Sequence, residues 1–137
     1  MAKIREVMTE SPRTVRGDDT VADAAKLMRD EDAGIAPVTE GGGKLVGVVT
    51  DRDLAIRVIA EGKDPRSTKV AEIASEKVYT VEPQQDLDEA LSLMAQHQVR
   101  RLPVVEGGKL VGILAQADVA RHADFERTGK VVEEISE

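Results

Sequence analysis

Apolar residues recur at helical spacing in two separate stretches of the chain. Each stretch places them at positions i, i+3, i+4 and i+7, which together form one face of an α-helix. They are Val21, Ala24, Ala25 and Met28 in the first stretch, and Leu87, Ala90, Leu91 and Met94 in the second. Asp19 or Thr20 stands where the first helix would have its N-cap, and Gln85 or Asp86 does so for the second. We predict one amphipathic helix in each stretch.

Two short apolar runs follow each predicted helix. They cover residues 35–38 and 45–49 after the first helix, and 102–105 and 110–114 after the second. Because a glycine-rich turn joins the runs of each pair, each pair predicts a β-hairpin. A further helix should begin near Asp51 and end before Gly62, and its counterpart should run from about Gln116 towards Gly129.

These elements form two copies of one unit. A shift of 66 residues places Thr14-Val15 on Thr80-Val81 and Pro37-Val38 on Pro103-Val104, and after the extra Gly43 a shift of 65 places Asp53 on Asp118. An extended piece precedes each amphipathic helix, at 13–15 and 79–81, so each unit has the order β-α-β-β-α. Short amphipathic helices are also predicted at 4–8 and, more weakly, at 70–73.

The predicted fold class is α+β, with the two repeats packed sheet to sheet about a pseudo-twofold axis. A unit of about 50 residues buries too little apolar surface to be stable alone, so the two units should share an interface with two related clefts. We predict a first repeat with its linker at 1–67, a second at 68–124, and an acidic tail or helix extension at 125–137.

Composition narrows the function. The 19 basic and 26 acidic residues give a net charge of −7, which disfavours nucleic acid and anionic membranes as partners. There is no cysteine, so thiol chemistry and disulfides are excluded. No apolar run approaches the roughly 20 residues of a membrane span, and no signal peptide is visible, so we expect a cytoplasmic protein. Tyr79 and Phe125 are the only aromatic residues, so the core must consist of aliphatic side chains and methionine.

The repeat resembles the CBS domain, named after cystathionine β-synthase, and the pair resembles a Bateman module. The matching segments are Val7-Met8-Thr9, Thr14-Val15, 35–38 and 47–53, with their equivalents in the second repeat. The resemblance implies a regulatory module that binds AMP, ADP, ATP or S-adenosylmethionine between the repeats, with no catalysis. An adenine nucleotide is therefore the one bound molecule we expect, and a homodimer the expected assembly.

The resemblance also assigns candidate ligand-binding residues. Asp53 and Asp118 match the family's ribose-binding aspartate, whose carboxylate can accept hydrogen bonds from both ribose hydroxyls. Thr50, at a helix start, could bind a phosphate or ribose oxygen. The base would be lined by the segments that lead into the two prolines and by the preceding extended pieces. These residues are Thr14, Val15, Ile35, Ala36, Pro37, Val81, Leu102 and Pro103.

Thr50 and Asp53 also have a purely structural interpretation. Threonine at an N-cap with an acid three residues later is typical of a capping box, and both roles are compatible. In the second repeat Ala115 replaces the threonine while Asp118 is kept. We therefore expect one competent cleft, containing Thr50 and Asp53, and a second that is weaker or empty.

Arg100 and Arg101 are a second candidate feature. They stand directly before Leu102-Pro103, where some nucleotide-binding relatives carry basic residues, and a guanidinium group suits phosphate. The alternative is that they balance the acidic stretch 30–32. We interpret Arg52, Arg57, Arg121 and His122 as surface residues.

The remaining patterns give no catalytic or metal site. His97 and His122, the only histidines, lack the spacing of metal ligands, and no nucleophile motif or phosphate-binding glycine loop is present. An enzyme is therefore the least favoured class. The rival to nucleotide sensing is a module that binds no nucleotide and acts through its dimer surface.

Overall fold

A computed structural model describes residues 2–123 of the 137-residue chain. The strands are β1 (Thr9–Glu10), β2 (Ile35–Glu40), β3 (Lys44–Thr50), β4 (Arg101–Glu106) and β5 (Lys109–Ala115). The helices are α1 (Val21–Glu31), α2 (Asp51–Asp53), α3 (Val70–Ile73), α4 (Leu87–His97) and α5, which is described over 116–123. Short 3₁₀ turns cover Ile4–Glu6 and Gly41–Gly43. The predicted α+β class is confirmed, and the predicted tail lies outside the described residues.

Both long amphipathic helices form where the apolar spacing predicts them. Thr20 is the N-cap of α1, and its hydroxyl accepts a hydrogen bond from the Asp23 amide at 3.2 Å. Asp86 is the N-cap of α4. The two helices end alike, because Asp32 and Gln98 follow them in the left-handed conformation with φ of 50° and 54°. The helix ends are therefore set by local sequence.

The helix predicted after Asp51 forms, but most of it is not a regular α-helix. Beyond α2, Leu54–Ile59 forms a π-helical turn, in which the Ala60 amide donates to the Ala55 carbonyl at 2.9 Å. This turn buries Val58, which is 1% exposed, and leaves Ile56 and Ile59 exposed at 46% and 73%. The first repeat therefore presents apolar side chains to solvent on this element.

The sheet consists of two similar antiparallel hairpins. β2 pairs with β3 and β4 pairs with β5, and each pair has a register shift at equivalent positions. The pair Lys44↔Lys109 joins the hairpins, and β1 pairs with β5 through Thr9↔Ile113. The predicted extended pieces at 13–15 and 79–81 form single parallel bridges, at Val15↔Val38 and Val81↔Val104.

Each repeat has its own hydrophobic core, and each core is completed by a segment from elsewhere in the chain. The first core contains Val15, Val21, Ala24, Leu27, Met28, Ala36, Val38, Val49, Val58, Val70 and Ile73. The second contains Ile4, Val81, Leu87, Ala90, Met94, Leu102, Val104, Leu114 and Val119. These buried residues are all aliphatic or methionine, as the composition predicts.

The segments that cross between repeats are α3 and the N-terminal turn. α3 packs on the first repeat, while Ile4 packs in the second and its amide donates to the Gln85 carbonyl at 2.9 Å. Lys3 adds an ion pair with Asp86 at 2.7 Å, and this contact raises the pKa of Lys3 and lowers the pKa of Asp86. The two repeats are thereby interleaved, and the predicted boundary at 67/68 stays a prediction.

No helix within residues 2–123 is long and apolar enough to cross a membrane.

Candidate functional site

The two family-matched aspartates stand near the starts of equivalent helices. In the first repeat, the Asp53 carboxylate accepts a hydrogen bond from the Thr50 amide at 2.9 Å, and the Asp53 amide donates to the Thr50 hydroxyl at 3.1 Å. Arg57 lies 3.8 Å from the same carboxylate, whose side chain is 16% exposed. The capping-box interpretation of this pair is therefore confirmed as geometry.

Asp118 faces a cavity between the repeats. This cavity, which we name the Asp118 cleft, has a volume of about 370 Å³. Its lining combines acidic, basic and apolar side chains from both repeats. They are Thr9, Pro12, Arg13, Leu27, Glu31, Asp32, Ala33, Ile35, Pro37, Arg101, Ile113, Ala115, Ala117, Asp118 and Arg121. Four residues predicted for the ligand site meet here: Ile35, Pro37, Arg101 and Asp118.

The Asp118 carboxylate has one cationic neighbour. Arg121, one helical turn later, contacts it through Nη2, and the side chains of Arg121 and Asp118 are 75% and 20% exposed respectively. Ala115 offers no side-chain oxygen, so no threonine hydroxyl occupies the place that Thr50 has beside Asp53. Asp118 is thus freer than Asp53 to accept hydrogen bonds from a ligand. The i, i+3 spacing of Asp118 and Arg121 was the sequence signal for this pair.

A second cavity contains Thr50. This Thr50 cavity, of about 730 Å³, lies beside the first one and also takes its walls from both repeats. It is lined by Met28, Arg29, Asp32, Ala33, Gly34, Ile35, Thr50, Asp51, Gln98, Val99, Arg100 and Arg101. Asp53 lines neither cavity. The carboxylate beside Thr50 in the Thr50 cavity is that of Asp51, which the sequence patterns did not single out.

Gly34 explains how Asp51 is seated. The Asp51 amide donates to the Gly34 carbonyl at 3.0 Å, and a Cβ at Gly34 would lie 2.9 Å from an Asp51 carboxylate oxygen. A side chain at position 34 would therefore push the Asp51 carboxylate away. The equivalent position in the second repeat is Arg100, so this arrangement exists in one repeat alone.

Arg100 and Arg101 are not used to neutralise the acidic stretch. Among residues 2–123, neither has an ion pair, and Arg101 Nη2 donates to the main-chain carbonyl of Asp32 at 3.3 Å. Asp30 is served by Arg29, whose hydrogen bond is the main cause that lowers the pKa of Asp30. Glu31 pairs with Arg13 at 3.4 Å. The charge-balancing alternative is therefore not what these two side chains do.

The other predicted site residues lie in the cores. Val15 and Ala36 are buried in the first core, and Val81 and Leu102 in the second. Pro103 is also fully buried, and the Thr14 hydroxyl lies 3.2 Å from the Thr39 hydroxyl. These residues build the walls from behind, and their contact with a ligand stays a prediction.

Pseudo-equivalent positions near the aspartates carry different pairs of side chains. In the Asp118 cleft, Arg13 and Glu31 form the ion pair described above. A shift of 66 residues places Tyr79 and His97 on these positions, and their rings stack with centroids 3.6 Å apart and planes 13° from parallel. The contact is kept and its chemistry is exchanged, which makes the surroundings of the two aspartates unlike.

Comparison with known proteins identifies the family. The CBS domain profile matches residues 4–59 and 70–124, and the chain belongs to the CBS domain family. CBS domain-containing protein YhcV of Bacillus subtilis is 40% identical over 99% of this chain and 96% of its own length. The described chain is thus a tandem CBS pair.

Two solved structures give the fold neighbours that bear on ligands. Hypoxic Response Protein I, solved with two coordinated zinc ions, is 37% identical, with a TM-score of 0.81 over 88% of this chain and 98% of that one. CBSX2 in complex with AMP is 28% identical, also with a TM-score of 0.81, over 93% of this chain and 99% of that one.

The donor set of this chain does not fit a zinc site. The sequence has no cysteine and two histidines, and one of these, His97, stacks on Tyr79. Within residues 2–123, no group of three or more histidine, aspartate or glutamate side chains could hold a metal ion. Zinc therefore enters no step of the function proposed below.

Proposed function

We propose that this CBS pair is a regulatory sensor that binds an adenosine-containing ligand, namely AMP, ADP, ATP or S-adenosylmethionine, in the Asp118 cleft. The observation that carries the proposal is the placement of the Asp118 carboxylate, one-fifth exposed, on a cavity lined by both repeats. A ligand there would contact the two halves at once and would favour one arrangement of them. Binding rather than catalysis is the proposed activity.

Each part of such a ligand has a suitable group. The Asp118 carboxylate can accept hydrogen bonds from the two ribose hydroxyls, and charge-assisted bonds of this kind are among the stronger ones. Leu27, Ile35 and Pro37 supply apolar surface for a base. Arg101 offers a guanidinium fork to a phosphate or carboxylate. The complex of CBSX2 with AMP supports the choice of ligand class.

The first prediction concerns Asp118. The Asp118→Asn variant should lose about tenfold or more in AMP affinity, because a neutral amide accepts weaker hydrogen bonds from the ribose hydroxyls than a carboxylate does. Isothermal titration calorimetry measures the affinity. Asp23→Asn is the matched control, since Asp23 is also a capping aspartate at the third position of its helix and lines neither cavity. The control should bind as the wild type does.

Asp53→Asn decides between the clefts. A loss at Asp53 that equals or exceeds the loss at Asp118 would favour the Thr50–Asp53 cleft that the sequence suggested, and would contradict our choice. If none of the four adenosine compounds gives heat at millimolar concentration, nucleotide sensing itself is wrong. The module without nucleotide would then be the better account.

A homodimer is the second part of the proposal, and exposed apolar side chains support it. Ile56 and Ile59, which follow α2 at an i, i+3 spacing, are 46% and 73% exposed. Large apolar side chains side by side on a helix face are typical of an interface with another chain. We propose that a second copy covers them, in the ligand-bound sensor and equally in the alternative function through the dimer surface.

A further inference from the structure

The Asp118 cleft and the Thr50 cavity are neighbours with a common wall. Asp32, Ala33, Ile35 and Arg101 line both of them. A third cavity, of about 600 Å³, overlaps each: it shares Arg100 with the Thr50 cavity and Ala115 with the Asp118 cleft. The three hollows are therefore parts of one groove, with Arg101 in contact with all of them.

The two ends of this groove carry the same kinds of chemical group. The Asp118 end has a carboxylate beside the apolar side chains of Leu27 and Ile113. The Thr50 end has the Asp51 carboxylate and the Thr50 hydroxyl beside Met28. A carboxylate next to apolar surface is what a ribose with its base requires. Each end is thus suited to one nucleoside.

The middle of the groove is cationic. Arg100 and Arg101 lie next to each other there, and among residues 2–123 neither has an ion pair that would have to be broken. Two adjacent guanidinium groups without carboxylate partners favour a chain of phosphates. The Arg101 contact with the Asp32 carbonyl, at 3.3 Å, costs little to exchange for a charged oxygen.

We propose that the preferred ligand is a dinucleotide, in which two nucleosides are joined by a phosphate chain that lies against Arg100 and Arg101. This inference rests on the proposed adenosine site at Asp118 and extends it to the Thr50 cavity. A mononucleotide fills one end and leaves the other to water. A two-headed ligand occupies both ends, and its second contact forms at high effective concentration because the first end is already held.

Calorimetry with AMP, ATP and diadenosine tetraphosphate tests the proposal on the full chain. We expect the dinucleotide to bind about tenfold or more tightly than ATP, with one molecule per chain. Asp51→Asn should bring the two affinities close together, because it removes the carboxylate at the Thr50 end. Arg101→Met should weaken both phosphate-rich ligands, and Arg66→Met is its matched control on the linker.

The outcomes separate the two proposals. If AMP binds and the dinucleotide is no tighter than ATP, the dinucleotide proposal is overturned while the adenosine site stands. The dinucleotide proposal is also overturned if Asp51→Asn leaves the advantage of the dinucleotide over ATP unchanged. If none of the three ligands binds, both proposals fail.

Discussion

Asp53 and Asp118 occupy equivalent positions in the two repeats, and their neighbours give them different tasks. The Asp53 carboxylate accepts the Thr50 amide and lies near Arg57, so its oxygens are occupied in capping the start of a helix. Asp118 follows Ala115, contacts Arg121 and faces a cavity. At this scale a single threonine-to-alanine difference separates a capping aspartate from one available to a ligand.

The capping role predicts a stability effect in the first repeat. Thr50→Ala removes the hydroxyl that accepts the Asp53 amide, so we expect the free energy of unfolding to fall by about 0.5–2 kcal/mol. Urea denaturation measures the change. Thr20→Ala, which removes the same bond at the start of α1, should fall in the same range. An unchanged midpoint for Thr50→Ala beside a clear loss for Thr20→Ala would show that the Thr50 cap contributes nothing.

Among the elements, the helix that begins at Asp51 departs most from regular geometry. Its π-helical turn buries Val58 and leaves Ile56 and Ile59 exposed. An irregular turn that adds apolar exposure costs stability in an isolated chain, so a function for the exposed face is the simplest explanation. A second copy of the chain is the proposed cover.

The exposed face predicts the assembly. The double variant Ile56→Lys, Ile59→Lys should convert a dimer into monomers, because two charges would be buried without partners in the interface. Sedimentation velocity measures the state. Leu91→Lys is the control, since Leu91 is 37% exposed but lies on α4. A dimer that survives the double variant, or a wild type that is monomeric, contradicts the proposed interface.

In the whole molecule, the first residues of the chain belong to the far repeat. Ile4 is fully buried in the second core, and the amide of Leu87 donates to the carbonyl of Ala2 at 3.1 Å. α3 does the reverse and packs on the first repeat. Each repeat therefore depends on a segment delivered by the other part of the chain, which couples their stabilities.

This interleaving predicts an effect at long range. Ile4→Ala should lower the free energy of unfolding by about 2–5 kcal/mol, through the lost contacts and the cavity left behind. Hydrogen exchange should rise first in α4, β4 and β5, although these lie far along the sequence. Ile73→Ala is the matched change in the first core, and its exchange should rise in α1, β2 and β3. Equal exchange patterns for the two variants would contradict separate cores.

Most of the fold was readable from local pattern. The i, i+3, i+4, i+7 stripes predicted α1 and α4, the glycine turns predicted both hairpins, and the shift of 66 residues revealed the repeat. The π-helical turn was not predicted, because the spacing of Leu54, Val58 and Ile59 fits a regular helix as well. The site was predicted in part: Ile35, Thr50, Arg101 and Asp118 lie on cavities, whereas Asp51 and Arg13 were not singled out.

The sequence by itself determined what depends on neighbours along the chain: the helix faces, the caps, the turns, the aliphatic core and the two aspartates. Only the tertiary structure decided which groups meet. The contact of Arg101 with the Asp32 carbonyl, the pairing of Arg13 with Glu31 and the stacking of Tyr79 on His97 join residues that are distant in sequence. The physical reason is that periodicity fixes the direction of a side chain on its own element, while a cavity exists only between elements that have packed.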